Sequence, residues 1–495
     1  MGESLNIKVK TATKWATIGE IAAKLVTPIS SMVLARLLTP EAFGVVTTLA
    51  MIISFAEIFT DAGFHKYLVQ HEFRDETDRD ESTNVAFWSN LILSLLIWGV
   101  ITIFSSPLAV LVGNPGLGHV LVIACVSIPL AAFSSIQMAL FRRDLDFKTL
   151  ARVRIVSTLI PLLITVPLAF WIRSYWALVI GTIIVNLVNA LLLSYYSKWK
   201  PRLFYSIQKL KEMLSFTVWS MIEAISIWLT GYVDIFIVGT MLSQYYLGLY
   251  KTSSTVVSQI MGLITAVTTP ILFSALSRLQ SDEKEFQTLF FRFQKLVGLL
   301  VIPIGMGIFI FSDFVTEILL GGQWGEASGF VGLWGLTSTI SIVLSHYCSE
   351  VYRAKGMPKL SVLAQLLHIV VLWPVVLIAV KYGFEALYVS RSLVRLELIA
   401  VNLIIMLIVL KMSIKKMITN ILPSCIGSIC MLVVLILPNA LYVWTEIFYM
   451  GIASLVYVII VSLFPNERRI ILGLPRLINE STPKTPYFGK GPKQM

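Results

Sequence analysis

The chain repeats itself. Trp15 and Trp219 each open an apolar span, 204 residues apart. At the same offset, Leu38-Thr39-Pro40-Glu41-Ala42-Phe43-Gly44 meets Leu242-Ser243-Gln244-Tyr245-Tyr246-Leu247-Gly248. Ile103-Phe104-Ser105 and Gly113 find counterparts in Ile310-Phe311-Ser312 and Gly321, and Ala177-Leu178 in Ala386-Leu387. The offset drifts only from 204 to 209 over a whole half. Two halves of about six spans each, running in the same direction, are the layout expected of a transporter whose site lies between two lobes.

The spans read as membrane helices. A helix needs about 20 mostly apolar residues to cross ~30 Å of hydrocarbon. Fourteen such stretches are expected, near 15–38, 45–70, 84–112, 119–140, 155–172, 177–196, 214–241, 249–275, 296–320, 328–352, 360–380, 386–410, 418–441 and 447–463. They are continuous, whereas strands of a membrane barrel would read as ~10-residue alternating segments. With 57% hydrophobic and 14% charged residues, a soluble globule is excluded. An all-α integral membrane protein is expected. Its halves would span 1–200 and 201–410, followed by two extra helices in 411–463 and a tail from 464.

Lysine and arginine set the orientation. With the N-terminus inside, the inner segments hold 31 of the 39, including Arg142, Arg143, Lys148, Arg152 and Arg154 in a single loop. The outer loops hold Arg173 and Lys381. Both termini are therefore expected in the cytoplasm. The net charge of +11 is a topology signal rather than a nucleic-acid patch, because it is spread over separate loops. Lys8, Lys10 and Lys14 resemble the start of a secretory signal, but the span they precede is long and many more follow. Cys125, Cys348, Cys425 and Cys430 lie within spans and read as small apolar residues, with no disulfide framework. Beyond Pro465 a short basic amphipathic stretch gives way to a Pro-, Lys- and Gly-rich tail expected to be disordered. The inner loop His71–Ser82 carries six acids against Arg74 and Arg79. It is either a solvated loop or a gate contact to a neighbouring basic loop.

Ionisable groups inside spans cost roughly 2.5–3.5 kcal/mol each on insertion scales, so they tend to face a cavity. Their spacing is helical. Glu20, Lys24, Thr27 and Ser31 share one face of the first span, and Ser54, Glu57, Asp61 and His65 one face of the second. The seventh gives Ser215, Trp219, Glu223, Ser226, Thr230 and Asp234, and the eighth Lys251, Thr255, Ser258, Gly262 and Thr265. Four stripes, two from each half, are expected to surround one water-filled cavity. Packing through small polar residues is the alternative for the serines and threonines. Glu20 and Lys24 can also pair at i, i+4 as a structural couple, and Asp61 can anchor the inner end of its span.

In the twelfth span Arg391 and Arg395 lie four apart on one face, ~9 and ~15 Å deep at 1.5 Å per residue. Two such cations repel. An anion compensates them, or acids of the protein such as Glu397 or Glu385 do. Arginine suits phosphate because its planar fork donates two parallel hydrogen bonds. His346 and His368 lack a second ligand at metal spacing and read as core or cavity-wall residues, so no metal site is expected. Prolines such as Pro28, Pro161, Pro270 and Pro374 mark kinks that fit hinges and static bends equally.

The stretch Leu34-Ala35-Arg36-Leu37-Leu38-Thr39-Pro40-Glu41-Ala42-Phe43-Gly44, followed by Asp61-Ala62-Gly63-Phe64 and Leu68-Val69-Gln70, resembles the first two spans of bacterial polysaccharide exporters. Asn84-Val85-Ala86-Phe87-Trp88 and Phe141-Arg142-Arg143-Asp144-Leu145-Asp146-Phe147 continue the likeness. These exporters are the O-antigen, colanic acid and teichuronic acid flippases of the multidrug/oligosaccharidyl-lipid/polysaccharide superfamily. The resemblance implies two six-helix lobes, a central cavity, two extra C-terminal helices, a bacterial plasma membrane and an undecaprenyl-pyrophosphate-linked glycan as cargo. Such a cargo brings the polysaccharide assembly machinery as a partner.

That cargo needs a wet cavity for its glycan and buried cations such as Lys24, Arg391 or Arg395 for its pyrophosphate. Glu20, Glu223 and Asp234 complete the candidate substrate site, with Glu57 and Asp61 as candidate carriers of a coupling ion. No G-x-x-x-x-G-K-[ST] motif is present, so ATP is not the expected drive, and no cofactor is expected. A cation-coupled multidrug antiporter of the same superfamily is the first rival, and Lys24, Arg391 and Arg395 argue against it. A membrane enzyme is the second. Its catalytic groups would need a sizeable outer loop, and the longest here is Gly321 to Ala327.

Overall fold

The computed structural model describes residues 2–61, 63–437 and 443–470, and within these the side chains of 2–10, 61, 215–220, 222, 223, 226, 230 and 443 fall outside the description. Helix follows helix, with no strand among the described residues. Twelve helices there are long and apolar enough to cross a membrane. Two expected spans fall outside that number. The seventh belongs to the helix Ile207–Met241, much of whose apolar middle is undescribed. The twelfth is divided into Phe384–Leu393 and Arg395–Ile408, with a tightened turn at Val394, whose carbonyl accepts from Glu397 N at 3.1 Å. Side chains such as Leu163 and Trp171 are 70% and 84% exposed, an arrangement that only a lipid surround stabilises. The protein is a multi-pass membrane protein.

The repeat survives in local geometry. The first helix, Gly2–Leu37, ends and the second, Pro40–Asp61, begins 204 residues before the seventh ends at Met241 and the eighth, Gln244–Arg278, begins. The third and ninth helices, Glu76–Ile103 and Glu283–Ile310, share a length of 28 residues and an aspartate cap. Asp75 accepts from Asp78 N, and Asp282 from Lys284 N and Glu285 N, satisfying amides that a helix start leaves open. Gly113 and Gly321 both take positive φ, 79° and 101°. The capped polar first turns explain why these helices begin before their apolar stretches do.

Two compact units are present. One comprises 1–267, 315–334 and 363–398, the other 268–314, 335–362 and 399–495. In the larger unit the equivalent turns of the repeat meet backbone to backbone. A Cβ on Gly44 would fall 1.9 Å from the Gln244 carbonyl oxygen, and one on Gly248 would fall 1.8 Å from that of Pro40. The relation is reciprocal, as a pseudo-two-fold requires, and only glycine permits it. The end of the first helix is closed by Gln323, which donates to Ala35 O and Leu38 O at 2.9 and 2.7 Å, and by Trp324, which donates to Ala35 O at 2.7 Å. At the opposite end, the acidic segment meets Lys209, with Asp78 at 2.5 Å and Glu81 at 3.0 Å. Partial burial disfavours the Lys209 charge, but the two carboxylates outweigh it and raise its pKa. The connection between the halves is pinned there too. Trp88 donates to Arg202 O at 2.8 Å, and Asn84 Oδ1 accepts from Arg202 N at 2.6 Å.

The smaller unit packs the ninth helix against Ile414–Cys430 and the last helix, Val443–Ser462. Tyr457 donates to Leu299 O at 2.7 Å and Asn420 to Phe291 O at 2.6 Å. Gly427 lets the last two helices touch, since a Cβ there would lie 2.6 Å from Val461 Cγ2. Lys295 pairs with Glu467 at 2.5 Å. All four cysteines are free, with Cys125 and Cys348 fully buried. The tail from 471 lies outside the described residues.

Candidate functional site

The larger unit holds a cavity of about 530 Å³ lined by residues from both halves of the repeat. Helical spacing builds its wall. The first helix supplies Lys24, Thr27 and Pro28, the seventh Gly231 and Asp234, and the eighth Lys251, Thr255, Ser258 and Gly262. Arg154 enters from the helix Phe147–Ile160, and Arg391 from Phe384–Leu393. Among the described residues four cations, Lys24, Arg154, Lys251 and Arg391, line it against one acid, Asp234.

Asp234 anchors one end. Its Oδ2 accepts from the Tyr250 hydroxyl at 2.7 Å and from Arg391 Nε at 3.3 Å, and its Oδ1 accepts from Ile235 N at 2.8 Å. Arg391 Nε also donates to the Tyr250 hydroxyl at 3.1 Å. Tyr250 is held flat against Phe330, ring centroids 5.3 Å apart. The two arginines share one indole, with Arg391 5.0 Å and Arg395 3.2 Å from the Trp334 ring centre. A ring face attracts both charges and offsets their mutual repulsion. Arg391 is therefore paired yet still lines the cavity, while Arg395 stands behind it on Trp334. Neither of the expected acids is the partner of Arg391. Asp234 is, while Glu397 instead takes His368 Nδ1 at 2.8 Å.

Other expectations need correction. Glu20 does not pair with Lys24. It pairs with Arg154 at 2.7 Å, and Lys24 donates to the Gly262 carbonyl of the eighth helix at 3.1 Å. The second helix's stripe does not line this cavity. Ser54 accepts from Trp228 Nε1 at 3.0 Å, Glu57 is half-buried elsewhere, and His65 lies 3.3 Å from Arg142 Nη1. The second helix turns this face to the seventh, and of the four stripes the described residues that reach the cavity are Lys24 and Thr27 of the first, Asp234 of the seventh, and Lys251, Thr255, Ser258 and Gly262 of the eighth. Side chains of Asp61, Ser215, Trp219, Glu223, Ser226 and Thr230 are outside the described residues. His346 meets Thr269 Oγ1 at 3.1 Å, and no cluster of three metal-ligating side chains occurs among the described residues. Arg154, Tyr250 and Trp334 were not singled out. Arg154 sits just before the apolar run of its helix, where charge reads as loop, and an aromatic residue inside a span carries no signal of its own.

A family model described as polysaccharide biosynthesis protein matches residues 33–329. The chain is 25% identical to the succinoglycan biosynthesis transport protein ExoT of Rhizobium meliloti, over 68% of this chain and 67% of that one. It is 22% identical to the lipopolysaccharide biosynthesis protein WzxC of Escherichia coli, over 65% of each. It is 21% identical to the teichuronic acid biosynthesis protein TuaB of Bacillus subtilis, over 72% of this chain and 74% of that one. Among solved structures, a lipid II flippase MurJ in an inward closed conformation superposes with a TM-score of 0.69 at 15% identity, covering 92% of this chain and 99% of that one. An inward-facing multidrug resistance MATE family transporter superposes with a TM-score of 0.55 at 14% identity, covering 78% and 96%. These two share its fold. With more than half of its length matched, the chain belongs to the polysaccharide biosynthesis protein family.

Proposed function

We propose that the protein carries an undecaprenyl-pyrophosphate-linked oligosaccharide from the inner to the outer leaflet of a bacterial plasma membrane, by alternating access, for surface polysaccharide assembly. The observation that carries this reading is the charge of the cavity. Among the described lining residues four cations stand against one carboxylate, and even with Arg154 paired to Glu20 the balance is positive, which suits a pyrophosphate and disfavours a cationic drug, so the antiporter reading is the weaker one. The named relatives act in succinoglycan, lipopolysaccharide and teichuronic acid biosynthesis, which supports a glycan cargo here. In this reading residues 1–200 and 201–410 are the moving lobes, 411–463 flank them, and both termini are cytoplasmic. Lys24 and Arg391 contact the pyrophosphate, and Arg395, Glu20, Glu223 and Asp234 complete the substrate site. Glu57 and Asp61 remain the carriers proposed for a coupling ion, and the assembly machinery receives the product. The protein performs no bond chemistry itself.

Deleting the chain from its host tests this. Lipid-linked glycan should accumulate on the inner leaflet, protected from an impermeant glycosidase in intact spheroplasts, and return to the outer leaflet on complementation. Unchanged surface polysaccharide and no accumulation would overturn the proposal.

A further inference from the structure

A second chamber, of about 650 Å³, lies within the larger unit among the first, fourth, fifth and sixth spans. It shares Thr27 and Arg154 with the basic cavity, so the two have a common wall. Its chemistry differs. Among the described residues its charged lining is Arg142, Arg154 and Glu20, and Glu20 pairs with Arg154 at 2.7 Å on that wall, which offsets part of the positive charge on this side. Further in, the Ser157 hydroxyl lies against the Asn189 side-chain carbonyl and 2.9 Å from Val153 O, and Asn189 lines the chamber. Phe147, Leu150 and Met138 form an apolar side.

We propose that this chamber is a glycan subsite that receives the uncharged, hydroxyl-rich sugar bonded directly to the pyrophosphate. A pyranose offers neighbouring hydroxyls, which planar carboxylate, amide and guanidinium groups satisfy in pairs, and C–H faces, which an apolar wall covers. Glu20, Asn189 and Arg154 supply the first kind of partner, and Phe147 and Leu150 the second. A polyprenyl tail would shut water away from the Glu20–Arg154 pair and from Asn189 and offer them no further hydrogen bonds, a cost that a sugar avoids. A phosphate is drawn instead to the neighbouring cavity, where Lys24, Lys251 and Arg391 add their charge and Asp234 is the one acid among the described lining residues. Adjacency supports the assignment as well. The first sugar is covalently attached to the pyrophosphate, so its site must adjoin the phosphate site, and Thr27 and Arg154 belong to both. This rests on the transport reading above.

Binding to the full chain in lipid nanodiscs tests it with two probes, the lipid-linked glycan extracted from the native host and undecaprenyl pyrophosphate without sugar. Asn189→Leu and Glu20→Gln should each weaken binding of the glycosylated lipid about tenfold, the size of one lost hydrogen bond to a charged or amide group. Binding of undecaprenyl pyrophosphate should not change with Asn189→Leu, and should not weaken with Glu20→Gln, which releases Arg154 towards the phosphate cavity. Glu20→Gln keeps the size and shape of the side chain, so it carries the test if Asn189→Leu does not fold. Equal weakening of both probes would assign the chamber to the lipid tail, and no weakening of either would leave it without a role; each result overturns the proposal. Wild-type protein that binds neither probe would sink the transport reading itself.

Discussion

Arg391 is held by Asp234 and Tyr250 on one side and Trp334 on the other, and still faces the cavity. The same groups that stabilise its charge fix the direction of its guanidinium. Arg391→Lys keeps the charge but loses the planar fork and the Nε contact to Asp234. Transport should fall by about one to two decades, from roughly 1.5–3 kcal/mol of lost charge-assisted hydrogen bonding, with expression unchanged. Surface polysaccharide yield against protein level checks this. Asp234→Ala is a different case, because it leaves a buried cation without its acid. Breaking one side of a buried pair costs roughly 3–5 kcal/mol, so a lower unfolding temperature in detergent is expected. Adding Arg391→Leu should restore much of that stability but no transport. A stable Asp234→Ala variant would mean that Arg391 is balanced by something other than this carboxylate.

The turns after the first and seventh helices close on each other through two glycines. Gly44→Val would drive a side chain into the Gln244 carbonyl, and Gly248→Val into that of Pro40. Overpacking of this kind costs roughly 1–3 kcal/mol against the contact. A cysteine placed at Thr27, on the cavity wall, should then react faster with an impermeant thiol reagent added outside intact cells. Equal reaction rates with and without Gly44→Val would show that this contact is not a seal. The repeat that predicts this pairing is legible in the sequence because Leu38–Gly44 and Leu242–Gly248 must both turn and both approach closely. Helix ends were less legible. Asp75 and Asp282 extend their helices by a polar turn that hydropathy reads as loop. The period places Lys24 with Thr27, and Lys251 with Thr255, Ser258 and Gly262, on shared faces, and these are faces that line the basic cavity. Partners were not legible, since the period tells which face a residue shares and says nothing of the neighbour opposite. Glu20 with Arg154 and Arg391 with Asp234 both join distant segments.

At the scale of the whole molecule, the orientation rests on lysine and arginine counts. Cysteines at Gly116 and Glu326, both exposed, should label from outside in intact cells, and cysteines at Lys200 and Lys355 should not. The reverse pattern would invert the topology and the direction of transport with it. The central claim is that the basic cavity carries a lipid-linked pyrophosphate glycan across the bilayer. Its most direct test is a reconstituted flip measurement. Proteoliposomes carrying fluorescent undecaprenyl-pyrophosphate-linked glycan in both leaflets are treated with an external glycosidase. With wild-type protein, cleavage should pass from the outer-leaflet fraction to nearly all of the lipid. With Lys24→Ala and Arg391→Ala together, it should stop at the outer-leaflet fraction, as in protein-free vesicles. Full cleavage by the folded double variant would contradict the account.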